Sequence, residues 1–151
     1  MHHFEYRGGE LFAEDVPVRE LVRQYGTPLY VYSAATLRRH FEAFDSAFAA
    51  LPHLTCFSAK ANSNLCVLRL LKDLGAGVDI VSGGELYRAL AAGVPAERIV
   101  YSGVGKRTDE IRQALEAGIL MFNVESMQEL SRINEIAVSM GTRARISLRI
   151  N

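Results

Sequence analysis

The sequence predicts an α/β protein in which a strand–helix unit repeats along a parallel sheet, and three observations support this fold class. From residue 54 onward, apolar β-type runs alternate with helical patterns, and the runs begin 24, 21, 21 and 25 residues apart. A residue suited to capping a helix precedes each helical pattern, and a glycine follows it. Units of this length are typical of parallel strands joined by helical crossovers.

The first third of the chain has a different pattern. We expect an irregular or strand-like start and then a short amphipathic helix over residues 18–25, which the G-T-P sequence after it ends. The aromatic and β-branched residues 29–32 predict a strand. A long helix capped by Ser33 is predicted over residues 34–51, because Leu37, Phe41, Phe44 and Phe48 form one apolar stripe.

The repeated part of the chain predicts five strands and four helices. The strands are expected over residues 54–59, 78–81, 99–101, 120–124 and 145–150. The helices are expected over residues 65–74, 84–92, 109–117 and 127–140. Their capping candidates are Asn64, Ser82, Thr108 and Ser126, and their terminal glycines are Gly75, Gly93, Gly118 and Gly141.

The repeat period by itself fits either a doubly wound sheet or a (β/α)8 barrel. A dinucleotide-binding sheet would place a G-x-G-x-x-G turn after its first strand, and residues 60–64, K-A-N-S-N, contain no glycine. A barrel takes about 250 residues, whereas the fifth strand ends with the 151-residue chain. We therefore predict the amino-terminal part, about five strands, of a parallel TIM-type (β/α)8 barrel that is cut off after its fifth strand.

Composition narrows the possible functions. Hydrophobic residues make up 49% of the chain, charged residues make up 23%, and 17 basic residues balance 17 acidic ones. This balance gives no reason to expect binding to nucleic acid or to a membrane surface. No apolar run approaches the roughly 18 residues of a membrane helix, and the start lacks the features of a signal peptide, so a cytoplasmic protein is expected. Cys56 and Cys66 are interpreted as small buried residues rather than metal ligands.

Lys60 is the residue whose position points to chemistry. It follows the apolar run over residues 54–59, at the carboxyl end of the first strand of the repeat. Active sites gather at this end of the strands in parallel α/β folds. A desolvated lysine amine reacts readily with aldehydes. From position alone, however, a lysine that simply reaches solvent at the strand end is the more common interpretation.

Six segments, in order, resemble the fold-type III pyridoxal-phosphate-dependent decarboxylases, whose barrel is alanine-racemase-like. Residues 58–64, S-A-K-A-N-S-N, resemble the family's A-x-K-A-N lysine motif, although Ser58 stands where an apolar residue is more usual. The others are G-T-P-L-Y-V-Y-S at 26–33, D-I-V-S-G-G-E at 79–85, S-G-V-G-K at 102–106, F-N-V-E-S at 122–126 and S-L-R-I-N at 147–151.

The resemblance implies pyridoxal phosphate as the cofactor and Lys60 as the catalytic lysine that forms an imine with it. It also implies that Asp79 and Arg149 lie at the cofactor, and it implies no metal. Structural alternatives remain for the last two residues. Asp79 would then bond local backbone amides near a helix start, and Arg149 would pair with a carboxylate across the barrel.

Other charged residues in these segments are expected to be structural. Lys72 and Lys106 are not expected in a buried environment that would keep an amine neutral. Glu85 and Glu125 stand at helix N-termini, where capping explains a carboxylate best.

Within the family, the segments most resemble members that decarboxylate meso-diaminopimelate to L-lysine in lysine biosynthesis. The alternatives are a decarboxylase of the ornithine, arginine or carboxynorspermidine type, and a non-catalytic truncated homologue. The resemblance implies a lead-in segment over residues 1–33 and the first part of the cofactor-binding barrel over residues 34–151. The second half of the barrel and a β domain would lie outside the chain. The resemblance also implies that the intact protein is a homodimer and acts on a small amino-acid substrate. The 151-residue chain alone is expected to be inactive.

Overall fold

The computed structural model describes residues 2–150, so Asn151, the last residue of the L-R-I-N segment, lies outside the described residues. The chain divides into two compact units. The first unit ends at Leu51, and the second begins at Pro52.

The first unit combines a small antiparallel sheet with two helices. The strands are β1 (Phe4–Arg7), β2 (Glu10–Ala13) and β3 (Val16–Pro17), in the order β1-β2-β3. They are followed by α1 (Val18–Tyr25) and α2 (Ala34–Ser46). The predicted helix over residues 18–25 is confirmed, and Ser33 caps α2 as predicted by accepting a hydrogen bond from the Thr36 backbone N–H at 3.0 Å.

Two predictions for this unit are corrected. Residues 29–32 do not form a strand, and Tyr30 is 86% exposed. Aromatic and β-branched residues favour a strand where a neighbouring strand offers a surface to pack on, and no described strand pairs with this segment. The helix predicted over residues 34–51 ends at Ser46, where the Ala47 N–H turns back to the Phe44 carbonyl.

The second unit has the predicted alternation of strands and helices. Its strands are β4 (Cys56–Ser58), β5 (Gly77–Ile80), β6 (Ile99–Tyr101), β7 (Met121–Val124) and β8 (Ile146–Leu148). Its helices are α3 (Leu65–Asp73), α4 (Gly83–Ala91), α5 (Thr108–Ala117) and α6 (Met127–Ser139), and a 3-10 turn covers Ala96–Arg98. Every predicted strand and helix of this part is present.

The order of the strands separates the barrel from the doubly wound sheet. All four strand pairings are parallel, and the order is β4-β5-β6-β7-β8. Because parallel crossovers are right-handed, a sheet that grows always in the same direction carries all its helices on one face. The apolar core lies between that face and the helices, and includes Leu68, Ile80, Ile99, Tyr101, Ile111, Phe122 and Ile133.

The helix termini carry most of the predicted capping signals. Asn64, Ser82 and Ser126 each accept a backbone N–H from the first turn of the following helix. The four predicted terminal glycines all have positive φ, for example 73° at Gly118. Thr108 was the exception, because it is the first residue of α5 and Arg107 holds the capping position. The Arg107 backbone N–H donates to Glu110 Oε2 at 3.1 Å, so Glu110 holds this start of the helix.

Candidate active site

A row of polar side chains lies on the face of the sheet that carries no helices. Asp79 stands between the buried residues Val78 and Ile80 on β5. Because side chains alternate along a strand, Asp79 points away from the helices. By the same alternation, Ser58 of β4 and Asn123 of β7 share that face. In a closed barrel, this face is the interior.

Asp79 is the centre of this row. Ser102, directly after β6, donates its hydroxyl hydrogen to Asp79 Oδ1 at 2.5 Å. Ser58 approaches Asp79 Oδ2 from the other side, at 3.4 Å. The Asn123 amide donates to Ser102 Oγ at 2.9 Å. These hydroxyl contacts differ from the local backbone bonding that was the structural alternative for Asp79.

Lys60 lies in the turn two residues after β4 and is exposed. The Ser58–Asp79 register pair places β4 beside β5, so the lysine follows the strand next to Asp79. Among residues 2–150, no hydrogen bond or ion pair engages the Lys60 amine. The described part of the chain therefore leaves this amine available for reaction.

The other two lysines have partners, and one of them is buried. Lys72 pairs with Asp73 at 2.7 Å. The Lys106 side chain is 0% exposed, which corrects the expectation that it lacks a buried environment. Its amine donates to Glu129 Oε1 at 2.5 Å and to the backbone carbonyls of Gly103 and Asn123. These three acceptors use all the donors that an ammonium group has.

Arg149 lies just beyond β8, four strands away from β4. Its backbone N–H donates to the Val124 carbonyl, and its guanidinium lies 3.7 Å from Glu125 Oε1. The side chain is 54% exposed, so this contact is loose. The described structure joins Arg149 to neither Lys60 nor Asp79 by a hydrogen bond or an ion pair.

The two glutamates predicted to cap helices differ. Glu85 accepts the Val81 backbone N–H at 2.7 Å and lies at the start of α4, as expected. The Glu125 side chain does not cap α6. It accepts the Gly103 backbone N–H at 2.7 Å and faces Arg149, because Glu129 supplies the carboxylate at that helix start and accepts the Glu125 N–H at 2.8 Å.

The cysteines are less buried than expected. Cys66 is exposed and Cys56 is half-buried. Burial, together with the nearby Asp79 carboxylate, raises the pKa of the Cys56 thiol to about 11, so this thiol is not reactive near neutral pH. Residues 2–150 contain no cluster of side chains that could hold a metal ion. None of the helices described is long and apolar enough to span a bilayer.

A comparison with protein families shows to which family the chain belongs. Residues 34–151 match the family model of the pyridoxal-dependent decarboxylases, in its pyridoxal binding domain. The chain belongs to the pyridoxal-dependent decarboxylases. The family implies pyridoxal phosphate as the cofactor of this decarboxylase chain.

Relatives of this pyridoxal-dependent decarboxylase are similar over the whole chain. It is 57% identical over 151 residues to the diaminopimelate decarboxylase of Haemophilus influenzae. It is 55% identical over 152 residues to that of Pseudomonas fluorescens. The chain spans 36% of the length of each of these relatives.

Solved structures of relatives share the fold. A crystal structure from Aquifex aeolicus has a TM-score of 0.94 and 54% identity, covering 99% of this chain and 36% of that one. The diaminopimelate decarboxylase of M. jannaschii in complex with L-lysine has a TM-score of 0.89 and 39% identity, with the same coverage. The predicted fold, the amino-terminal part of an alanine-racemase-like barrel, is confirmed.

The residues of this candidate site fit pyridoxal phosphate. An aldehyde cofactor needs a primary amine that no carboxylate holds, and Lys60 is the only one of the three lysines in the sequence whose amine the described structure leaves unpaired. A cationic pyridine ring and an anionic phosphate need fixed charges nearby. Asp79, on β5 and hydrogen-bonded to Ser102, is an acidic candidate for the ring, and Arg149, just beyond β8 and half exposed, is a basic candidate for the phosphate.

Sequence reasoning missed Ser102 and Asn123. Both lie in segments that carried the resemblance, but neither was singled out. A signal was available, because Asn123 interrupts an apolar strand and Ser102 directly follows one, each at a position that alternation assigns to the face opposite the core.

Proposed function

We propose that this chain is the cofactor-attaching amino-terminal part of a decarboxylase that converts meso-diaminopimelate to L-lysine. The observation that carries the proposal is the set of relatives. Eight relatives that are 46–57% identical over 93–100% of this chain all bear the name diaminopimelate decarboxylase. Two similar structures, from M. jannaschii and Helicobacter pylori, are complexes with L-lysine, the product of this reaction.

Lys60 is the residue to which we assign covalent attachment of the cofactor. Its support is the free amine, since Lys72 and Lys106 are both engaged by carboxylates. When bound, pyridoxal phosphate supplies an electron sink for the bond broken at the substrate's α-carbon. The substrate would lose CO2 from that carbon and gain a proton there, and Lys60 would be the residue that holds the cofactor between turnovers.

Asp79 and Arg149 are assigned to cofactor binding. Asp79 is a carboxylate held on the inner face by Ser58 and Ser102, and a fixed anion at this depth favours a neighbouring cationic group. Arg149 ends the fifth strand with a half-exposed guanidinium, and its contact with Glu125 is long enough to leave donors for an anion.

Three further inferences from the sequence stay predictions. They are the homodimer, the cytoplasmic location, and the division into a lead-in over residues 1–33 and a partial barrel over residues 34–151. Dilution tests the homodimer: if activity depends on it, the specific activity of the full-length enzyme should fall as the protein is diluted.

Borohydride trapping tests the role of Lys60. The full-length protein incubated with pyridoxal phosphate and reduced should carry the cofactor on the tryptic peptide that contains Lys60. Lys60→Ala should abolish both the visible absorbance of the bound cofactor and decarboxylation, and Lys72→Ala should change neither. A reduced cofactor on another lysine would overturn the assignment.

A substrate panel tests the reaction. CO2 release from meso-diaminopimelate, L-ornithine and L-arginine should differ by at least about a hundredfold in kcat/KM in favour of the first, because a second charged carboxylate and amine must be recognised. Equal or greater kcat/KM for L-ornithine would instead support the alternative substrate class.

A further inference from the structure

We propose that Ser102 and Asn123 are positioning residues that hold Asp79 in its cofactor-binding orientation. The proposal rests on the function proposed above, because the orientation of Asp79 matters to the cofactor only if Lys60 holds that cofactor beside β5. The two residues form a chain of hydrogen bonds from the Asn123 amide, through the Ser102 hydroxyl, to Asp79 Oδ1.

The direction of this chain follows from the groups themselves. An ionised carboxylate only accepts hydrogen bonds, so the single hydroxyl hydrogen of Ser102 must go to Asp79. Ser102 Oγ is then left with lone pairs alone, and the Asn123 amide meets it with its N–H2 group at 2.9 Å. Asn123 thereby keeps the Ser102 hydroxyl from turning away from Asp79.

The backbone holds both residues in place. The Ser102 backbone N–H donates to the Ile80 carbonyl at 2.8 Å, one residue beyond Asp79. Ser102 is therefore bound through its backbone to β5, the strand that carries Asp79. The Asn123 carbonyl accepts from the buried Lys106 amine at 2.9 Å. Because both ends are fixed before any ligand binds, the carboxylate needs little rearrangement to meet the cofactor.

The opposite side of Asp79 is less constrained. The Ser58 hydroxyl lies 3.4 Å from Asp79 Oδ2, against 2.5 Å for Ser102 and Oδ1. Hydrogen bonds weaken with distance over this range. The Ser102 side of the carboxylate therefore sets its orientation, and Ser58 contributes little.

A double-mutant cycle on cofactor affinity tests the proposal. The dissociation constant of pyridoxal phosphate is measured on the full-length apoprotein, by the absorbance of the bound cofactor, for wild type, Ser102→Ala, Asp79→Asn and the double variant. Ser102→Ala should weaken binding about tenfold in the wild-type background, as expected for one hydrogen bond to a charged group. With Asp79→Asn present, the same change should cost less than about twofold.

Companion variants separate positioning from folding. Ser102→Thr keeps the hydroxyl and should restore affinity to within about threefold of wild type. Ser33→Ala removes the serine cap of α2, whose hydrogen bonds to Thr36 and Glu14 stay within the first unit. It should lower the melting temperature without changing cofactor affinity by more than about twofold. If Ser102→Ala does not fold, Asn123→Leu is measured in the same two backgrounds with the same expectation.

The measurements distinguish a failure of the proposed function from a failure of the positioning role. A wild-type protein that attaches no cofactor at Lys60 overturns the proposed function. A wild-type protein that does attach it, with an equal loss of affinity from Ser102→Ala in both backgrounds or no loss in either, overturns the positioning role alone.

Discussion

At the scale of single residues, the lysines show that the groups around an amine determine whether it is free or paired. Sequence position favoured Lys60 over Lys106 as the cofactor-binding lysine, because Lys106 was expected to lack a buried environment. The structure favours the same lysine for a different reason. Lys106 is the buried lysine, but Glu129 and two backbone carbonyls accept hydrogen bonds from its amine. Its burial could not be predicted, because the acceptors come from a turn, from strand β7 and from helix α6, which the sequence does not mark as its neighbours.

The buried ion pair between Lys106 and Glu129 leads to a prediction about stability. Lys106→Met should lower the free energy of unfolding by about 3 kcal/mol, because Glu129, whose side chain is 10% exposed, keeps its charge and loses its cation. Chemical denaturation of the full-length protein measures the loss. The same variant should still attach pyridoxal phosphate at Lys60 wherever it is folded.

Two controls accompany this prediction. Lys72→Met removes a more exposed pair with Asp73 and should cost less than about 1 kcal/mol. The combined change Lys106→Met and Glu129→Gln should recover part of the loss, since no unpaired charge remains. Equal losses from Lys72→Met and Lys106→Met would contradict the description of Lys106 as a buried pair.

At the scale of elements, the start of α2 depends on a carboxylate from another part of the first unit. Glu14 Oε1 accepts the Ala35 backbone N–H at 2.9 Å and the Ser33 hydroxyl at 2.7 Å. These two bonds hold the pKa of the Glu14 carboxyl below its usual value. Because the folded pKa is lowered, the stabilisation is complete above the unfolded value of 4.5 and is lost as the pH falls through the folded value.

Glu14→Gln should therefore destabilise the protein in a pH-dependent way. At pH 7 the variant should be less stable by about 1 kcal/mol, as for the loss of a helix cap. The difference from wild type should shrink as the pH falls below 4.5, and thermal unfolding across this range measures it. As a control, Glu42→Gln on the exposed side of α2 should change stability at pH 7 by less than about 0.5 kcal/mol. A difference from wild type that does not depend on pH would show that the charge of Glu14 is not what holds the helix.

Strand β5 begins at a glycine for reasons of space. A Cβ at Gly77 would lie 2.6 Å from the Arg98 carbonyl oxygen and 2.8 Å from Cys56 Sγ. The backbone oxygen cannot move without disturbing the start of β6, so Gly77→Ala should destabilise by about 2 kcal/mol, measured by the denaturation midpoint. Gly105→Ala meets nothing within 4 Å and should be close to neutral. Equal midpoints for the two variants would contradict this account.

The elements of the second unit could be predicted from the sequence because several local signals agree. Each predicted strand lies within two residues of the observed one, since caps, glycines and apolar period mark the same boundaries. The first unit lacks that agreement. Residues 29–32 have strand propensity without a described strand to pair with, and β1, β2 and β3 have only four, four and two residues, too few for a repeated pattern.

The sequence leads to the candidate site by two routes. The strand end pointed to Lys60, whereas Asp79 and Arg149 came from the resemblance, and the roles of all three stay predictions. The hydrogen bonds that orient Asp79 could not be predicted, because they join residues 79, 102 and 123, and their distances depend on the register between β5, β6 and β7.

At the scale of the whole molecule, the second unit leaves apolar surface that a barrel would cover. Among the described strands, β8 has one neighbour; Leu148, its last residue, is 63% exposed, and Ile150, two residues beyond, is 92% exposed. An open strand edge with exposed apolar side chains pairs readily with other chains. The 151-residue chain expressed alone should therefore form soluble aggregates or precipitate, which light scattering coupled to size exclusion detects. The combined change Leu148→Lys and Ile150→Lys should reduce aggregation, because charges on an edge oppose pairing, and should not produce a cooperative melting transition, because the inner face stays open. A wild-type 151-residue monomer that is monodisperse and melts cooperatively would show instead that five strands close their own core.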